Sequence, residues 1–452
     1  MNSGRFDKLI GRVRPGTYVN VDSNTAPTVE YAKRGNVCIP LANNWGPNKT
    51  LIKITADDIN AHDVELGYPV VDILLLNEAF KGAATVLVYN FCAGAKATKT
   101  ITLVEAAGDD PAVTLTATAA YNGTRGNDLK VVCAANTDST FKVTVVLGTE
   151  NVEEFDGLTT IKTLADAGSQ YIVFTGSDET ASLAAFASAS LTGGTTTAPQ
   201  NTDVTDMLDA IEDEDISTLA FPFTEGTLKA SAVSKAKYLR DTCGKTFQVV
   251  VCDYSSADYE GVINVTNAYQ LTDGTALTHA QATAYVAAIT AASNELVSNT
   301  YKVIPDADTV VDKKTNEQAE AALLAGEFFF TQDKNKVIIE QDINSLHTFT
   351  QTRSKTYSKN KVIRVYDAFA DTLRNTFPPN KFPNSPLGWD LMDGLCQTIL
   401  QHFLDEDAIK NVVLDQDLKV DRSLSDGDSV YFDARIHPVD AAEKLYFTVI
   451  TD

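Results

Sequence analysis

Five histidines, His62, His279, His347, His402 and His437, are the side chains of this 452-residue chain best suited to bind a metal or move a proton near neutral pH. No two stand at metal-ligand spacing, and the HExxH pattern of a helical zinc site is absent. Each reads as a surface or capping histidine. Gly244-Lys245-Thr246 supplies the second half of a phosphate loop, but Leu239 stands where the first glycine is required. A helix also precedes this stretch and a strand follows, the reverse of the phosphate-loop order, so Gly244 reads as a helix-ending glycine. The six cysteines (Cys38, Cys92, Cys133, Cys243, Cys252 and Cys396) form no CxxC pair and mostly sit among apolar neighbours, as small buried hydrophobes do. No GxSxG elbow is present. With 60 acidic residues, no single carboxylate pair stands out as a hydrolytic site, and Glu212-Asp213-Glu214-Asp215 reads as a solvated helix end. The residues therefore nominate no catalytic, cofactor-binding or metal site.

Charge narrows the classes further. The net charge of −23 opposes sequence-independent binding to nucleic acid and docking on anionic lipid. Aromatic residues do not interleave with Lys and Arg as a single-strand platform requires. The N-terminus, Met1 to Lys8, lacks the apolar stretch of a signal peptide, and no run approaches the ~18 apolar residues of a membrane span. These readings predict synthesis in the cytoplasm, no direct nucleic-acid partner and no membrane insertion.

The elements that must position whatever function exists fall into blocks. Residues 1–30, rich in Gly and Pro, read as an arm with strand character only at Tyr18 to Val21. Residues 31–94 read as α/β: a strand at Val37 to Leu41 whose Pro40 suggests an edge or strand end, a helix at Asp72 to Phe80 capped by Gly82, and a strand at Thr85 to Tyr89. Residues 95–192 alternate Thr, Val and Ala in short runs split by turns, the pattern of a β-sandwich or small barrel. A Gly193-Gly194 linker leads to a central α/β region, 200–350, with an acidic helix over Asp203 to Asp215 and an alanine-rich helix over Ala280 to Val297. There Phe328 to Phe330 and Lys336 to Glu340 are predicted to pair as a hairpin. In residues 351–452, Leu387, Leu391, Leu395 and Ile399 lay one apolar helix face, and Lys444 to Thr451 is predicted as a strand. The fold class is thus multidomain α/β: an α/β core with an inserted β-sandwich-like domain, a C-terminal α+β domain and extended terminal arms.

Three features suit assembly. A strand at each chain end, around Arg14, Pro15, Gly16, Tyr18 and Val19 and at Leu445, Tyr446, Phe447, Thr448 and Val449, can pair with a neighbouring subunit's sheet edge or with its own. Charge is also segregated. Asp203 to Asp215 holds seven acids and no base, whereas Arg353 to Lys381 holds seven bases and two acids. The basic stretch either meets an acidic partner, another copy's acidic helix included, or balances local acids.

Arg14-Pro15-Gly16-Thr17-Tyr18-Val19-Asn20 resembles the opening block of the contractile-tail sheath proteins of myophages and R-type bacteriocins, with those of Gram-positive hosts most similar. Gly35 to Leu41 with Trp45-Gly46-Pro47, Glu78 to Ala83, Gly123 to Leu129 and Leu191 to Thr195 are similar to further blocks. So are Asp258 to Ile263, Ile339 to Leu346, Val362 to Val365 and Pro438 to Tyr446. The blocks run in order along nearly the whole chain; His347 and residues 378–383 fall outside them. The resemblance implies a structural, non-enzymatic subunit of a contractile injection system. Such subunits polymerise helically around an inner tail tube, swap terminal arms into a shared sheet, and contract to drive the tube through a target envelope. It implies as partners further copies of the chain, the tube protein, and baseplate and terminator proteins, with assembly into a virion or bacteriocin tail. It also places tube contact near the C-terminal domain, for which Lys355, Lys359, Lys361 and Arg364 are the candidates. A β-rich phage-type adhesin or carbohydrate-binding protein is the alternative, resting on residues 95–190; a hydrolase with dispersed carboxylates is a third reading.

Overall fold

The structure is a computed structural model and describes residues 35–107 and 110–450. The chain divides into two compact units. One comprises Lys33–Ala368 together with the C-terminal Pro438–Asp452; the other includes Phe369–His437.

The first unit is organised on a seven-stranded sheet. It begins with β1 (Asn36–Ala42) and β2 (Thr50–Thr55), continues through the short helices α1 (Asp63–Leu66) and α2 (Leu74–Phe80), and returns as β3 (Thr85–Phe91). β1 and β3 are parallel, and β2 runs antiparallel to β3 at the sheet edge. β1 is not an edge strand, so of the two readings Pro40 offered the edge is not found; Pro40 stands near the strand's end, two residues before Ala42. Its second neighbour reaches only Val37 and Cys38, so Pro40 stands where one side of the strand has no partner to receive an N–H.

The chain then leaves the sheet. β4 (Thr98–Val104), β5 (Val113–Ala119), β6 (Leu129–Ala135), β7 (Phe141–Leu147) and β8 (Glu150–Leu158) precede a single-turn helix, α3 (Ile161–Ala165). β9 (Ile172–Gly176) and β10 (Phe186–Ser190) follow. Two antiparallel sheets result, β4-β5-β9 and β10-β6-β7-β8. Alternate residues such as Leu115, Ala117, Val131, Val143 and Val145 point into the core between them. Trp45, from the β1–β2 turn, lies in this same core, with its ring 5.4 Å from Tyr121 and its indole N–H donated to the Val64 carbonyl.

The main sheet resumes after α4 (Asn201–Ala210) with β11 (Thr218–Ala220), α5 (Gly226–Lys237), β12 (Gln248–Cys252) and β13 (Val262–Val265), and β14 (Ala268–Leu271) follows outside it. Then come α6 (His279–Ala292), β15 (Ala307–Val311), α7 (Asn316–Leu324), β16 (Glu327–Phe328), β17 (Phe330–Asp333) and β18 (Lys336–Ile339). The sheet order is β16-β13-β12-β11-β1-β3-β2. Its interior strands are parallel and covered on both faces, which is why β12 and β13 are buried at every position. α2 and α6 cover one face, α4 and α5 the other. α6 carries almost no amphipathic signal because Ala282 to Ala291 are all buried. The Phe328 to Phe330 run divides: Phe328 joins the main sheet, while Phe330 opens the β17–β18 hairpin, turned through Lys334 at φ 54°.

α8 (Asn360–Thr376) enters the second unit, where α9 (Pro386–Asp405), β19 (Leu418–Asp426) and β20 (Ser429–Ala434) follow; β19 and β20 pair as a hairpin. The four-residue spacing on α9 holds only in its second half: Ile399 is buried but Leu387 is 79% exposed. Side chains four apart drift by ~40° per step, and the buried stripe follows Met392, Leu395, Cys396, Ile399, Leu400 and Phe403 instead. The mixed α/β, multidomain character and the β-sandwich expected from the sequence are both present.

Candidate assembly surfaces

Arg14, Pro15, Gly16, Tyr18 and Val19 lie outside the described residues. At the other end, Ala441 to Ile450 belong to no strand, and no ladder among the described residues includes them. The predicted C-terminal strand therefore has no strand partner among the described residues of its subunit. Leu445, Tyr446, Phe447, Val449 and Ile450 are each between 69% and 88% exposed. So many adjacent large apolar side chains in water mark a surface meant to be covered.

The chain is held just before that run. Glu443 accepts hydrogen bonds from Thr300 Oγ1 at 2.7 Å and Gln341 Nε2 at 2.5 Å, and pairs with the Lys359 ammonium. Burial pushes its carboxyl up, but Lys359, Gln341 and Thr300 outweigh that and hold it below the usual glutamate range. Sequence reasoning missed this residue. Its partners lie 143, 102 and 84 positions away, and no spacing rule connects them.

The basic segment looks different in three dimensions than in one. Arg364 is fully buried: it holds Asp342 at 2.8 Å and donates to the carbonyls of Asn294 and Val297. Lys361 is 8% exposed, and Lys359 is turned onto Glu443. Arg364 and Lys359 are thus occupied inside their own subunit, because a cation removed from water must be paired there. Lys355 alone of the four candidates is exposed. Arg353 likewise turns inward, to Glu260 at 3.1 Å and Asp241 at 3.4 Å. Four acids of the Asp203 to Asp215 stretch, whose helix ends at Ala210, are paired locally too: Lys49 bridges Asp203 and Asp206, and Lys235 bridges Asp209 and Glu212.

The residues screened for chemistry have structural placements. Gly244 follows the helical turn Tyr238–Thr242 with φ 69°, a helix-ending geometry. Burial pushes the Cys38 and Cys396 thiols up to about 12, while Cys243 is exposed. His347 Nδ1 lies 2.9 Å from the Ser345 carbonyl, and its backbone N–H is donated to Asp258. In 378–383, Phe382 packs on Phe377 with ring centres 5.5 Å apart. Among the described residues no three His, Cys, Asp or Glu side chains are placed to hold a metal ion, and no helix is long and apolar enough to cross a membrane.

Four family models match in series along the chain: tail sheath protein Gp18 domain III N-terminal region over residues 34–90, phage tail sheath β-sandwich domain over 92–201, central domain over 197–345 and C-terminal domain over 352–451. The phage-like element PBSX protein XkdK of Bacillus subtilis is 34% identical, with 99% of each chain covered. The crystal structure of a sheath tail protein from Desulfitobacterium hafniense is 38% identical, covers 96% of this chain and 99% of its own, and superposes with a TM-score of 0.84. The helical sheath of the anti-feeding prophage in its contracted state shares the fold at 12% identity, with 98% and 100% coverage and a TM-score of 0.54. These matches along the full length agree: the chain belongs to the phage tail sheath protein family and is a structural, non-enzymatic tail sheath subunit.

Proposed function

We propose that this subunit polymerises into the contractile sheath of a phage-like tail particle, around an inner tube, and that its contraction drives the tube through a target envelope. The observation that carries the reading is the exposed run from Leu445 to Ile450, which pairs with no strand among the described residues. Donated to a sheet edge of another copy, such a run gains about 1.5–3 kcal/mol per buried large side chain and about 1 kcal/mol for each of ~5 backbone hydrogen bonds. Ordering some six residues costs about 1–2 kcal/mol each. Each link is then modestly favourable, and a lattice multiplies the links. Preserved strand exchange would keep subunits joined while they slide between two packings.

In this reading residues 1–30 act as the second arm, 95–192 as the sandwich domain, 200–350 as the central sheath domain, and 351–452 as the C-terminal domain that ends in the donated strand. Related solved structures include a sheath polymer and a baseplate of the anti-feeding prophage, which supports self-association and a baseplate partner. Lys355, the exposed one of the four candidate cations, is proposed to face the tube. The test is truncation after Lys444, with deletion of residues 1–20 in parallel. Both variants should remain soluble monomers by sedimentation while the full chain forms striated tubes in electron micrographs. Full-length sheaths from either variant would refute arm exchange.

A further inference from the structure

Glu443 is the last half-buried residue before the exposed terminal run. Its carboxylate is 10% exposed and its Lys359 partner 16%. Each of the three groups that hold it is itself fixed. Thr300 Oγ1 accepts the Asp342 backbone N–H at 2.9 Å. Asp342 is buried and receives Arg364 at 2.8 Å, Asn360 at 2.9 Å and the Asn299 backbone at 3.0 Å. Gln341 adjoins Asp342, and Lys359 ends the turn Lys355–Ser358 immediately before α8. Glu443 therefore docks on the rim of a buried polar network at the root of α8. Directly beside it, residues 440–444 form one wall of a groove of about 610 Å³ whose other wall includes Leu323, Leu324, Phe349 and Lys355.

From this geometry we infer that Glu443 is the anchor of the C-terminal arm: it fixes the point and direction at which the chain leaves its own subunit, so that the apolar run is presented to another copy rather than folded back into the adjoining groove. The inference rests on the arm-exchange reading above and adds a positioning residue to it. A tether with one charged and two neutral partners suits that task, since the carboxylate has specific donors whereas the run beyond it joins no ladder among the described residues. The anchor also ties the arm to α8, so a load carried by the donated strand enters the fold at a buried ion pair instead of at a loop.

The test uses the full-length chain with Glu443→Ala and, reciprocally, Lys359→Met. Circular dichroism establishes that each variant folds. Amide exchange over residues 440–444 is read in the monomer, and sheath yield by sedimentation and electron microscopy. Both substitutions should accelerate exchange there by about ten-fold or more and cut sheath yield several-fold, with Glu443→Gln intermediate. Unchanged exchange would show that Glu443 does not hold the segment; faster exchange with undiminished sheath yield would show that holding it does not serve assembly. Either result overturns the anchor. The chain truncated after Lys444 keeps Glu443, so sheath formation by that variant would instead strike at arm exchange itself.

Discussion

At the residue scale, the same positive charge means different things according to where it lies. Lys355 and Arg364 are nine positions apart in one basic stretch, yet one is exposed and the other is sealed against Asp342. Lys355→Glu should weaken co-sedimentation of sheath with tube while leaving the subunit's melting temperature unchanged. Arg364→Glu should do the reverse, costing the fold about 3–5 kcal/mol in chemical denaturation because it buries two unpaired carboxylates. Equal loss of tube binding in two stably folded variants would contradict this division. His279 offers a second residue-level check. Its Nδ1 lies 2.8 Å from Asp253 and its Nε2 2.9 Å from Asp312, and both aspartates take left-handed backbone, φ 44° and 56°. The hydrogen bond with Asp253, aided by Asp312 and opposed by burial, holds the imidazole above its usual range. A raised pKa stabilises the fold fully below about pH 6.5 and loses that contribution as pH rises through the folded value. The melting temperature should therefore fall more between about pH 6.5 and 8.5 for the native chain than for His279→Asn; parallel profiles would contradict the ion bracket. None of these partnerships is visible in sequence, because each joins residues brought together only by the fold.

At the element scale, sequence patterns served well where one element makes its own case. The helix at Ala280 and the β-prone Thr/Val runs were legible because composition and alternation report burial directly. Three readings failed in whole or in part for reasons of context. Pro40 marks a half-paired position on an interior strand, not an edge. The leucine spacing on α9 drifts off the buried stripe. Gly82 follows Lys81, the C-cap of α2, without the positive φ of a helix-ending glycine; it lets α2 and α6 approach, since a Cβ there would meet Ile289 Cγ2 at 2.8 Å. Gly82→Val should therefore cost about 1–3 kcal/mol by overpacking, measured as a lower denaturation midpoint, and an unchanged midpoint would show that the two helices can part without cost. The C-terminal strand is the opposite case. Its residues favour a strand strongly, and the described residues of its own subunit supply no strand partner.

At the scale of the whole molecule, that mismatch carries the account. A chain of net charge −23, most of it carried by acids that face water, still leaves large apolar side chains in water at one end. Solubility of the free subunit and stickiness of its terminus are thus built into different parts of the same chain. The motif blocks made the family legible from sequence; the anchor, the sealed cations and the exposed terminus required the fold. The most direct measurement is the structure of the assembled polymer by electron cryomicroscopy. The account predicts that the backbone of Leu445 to Val449 continues a sheet of an adjacent copy, with Glu443 still docked on its own Thr300, Gln341 and Lys359. Residues 445–449 folded onto their own subunit in the polymer would contradict it.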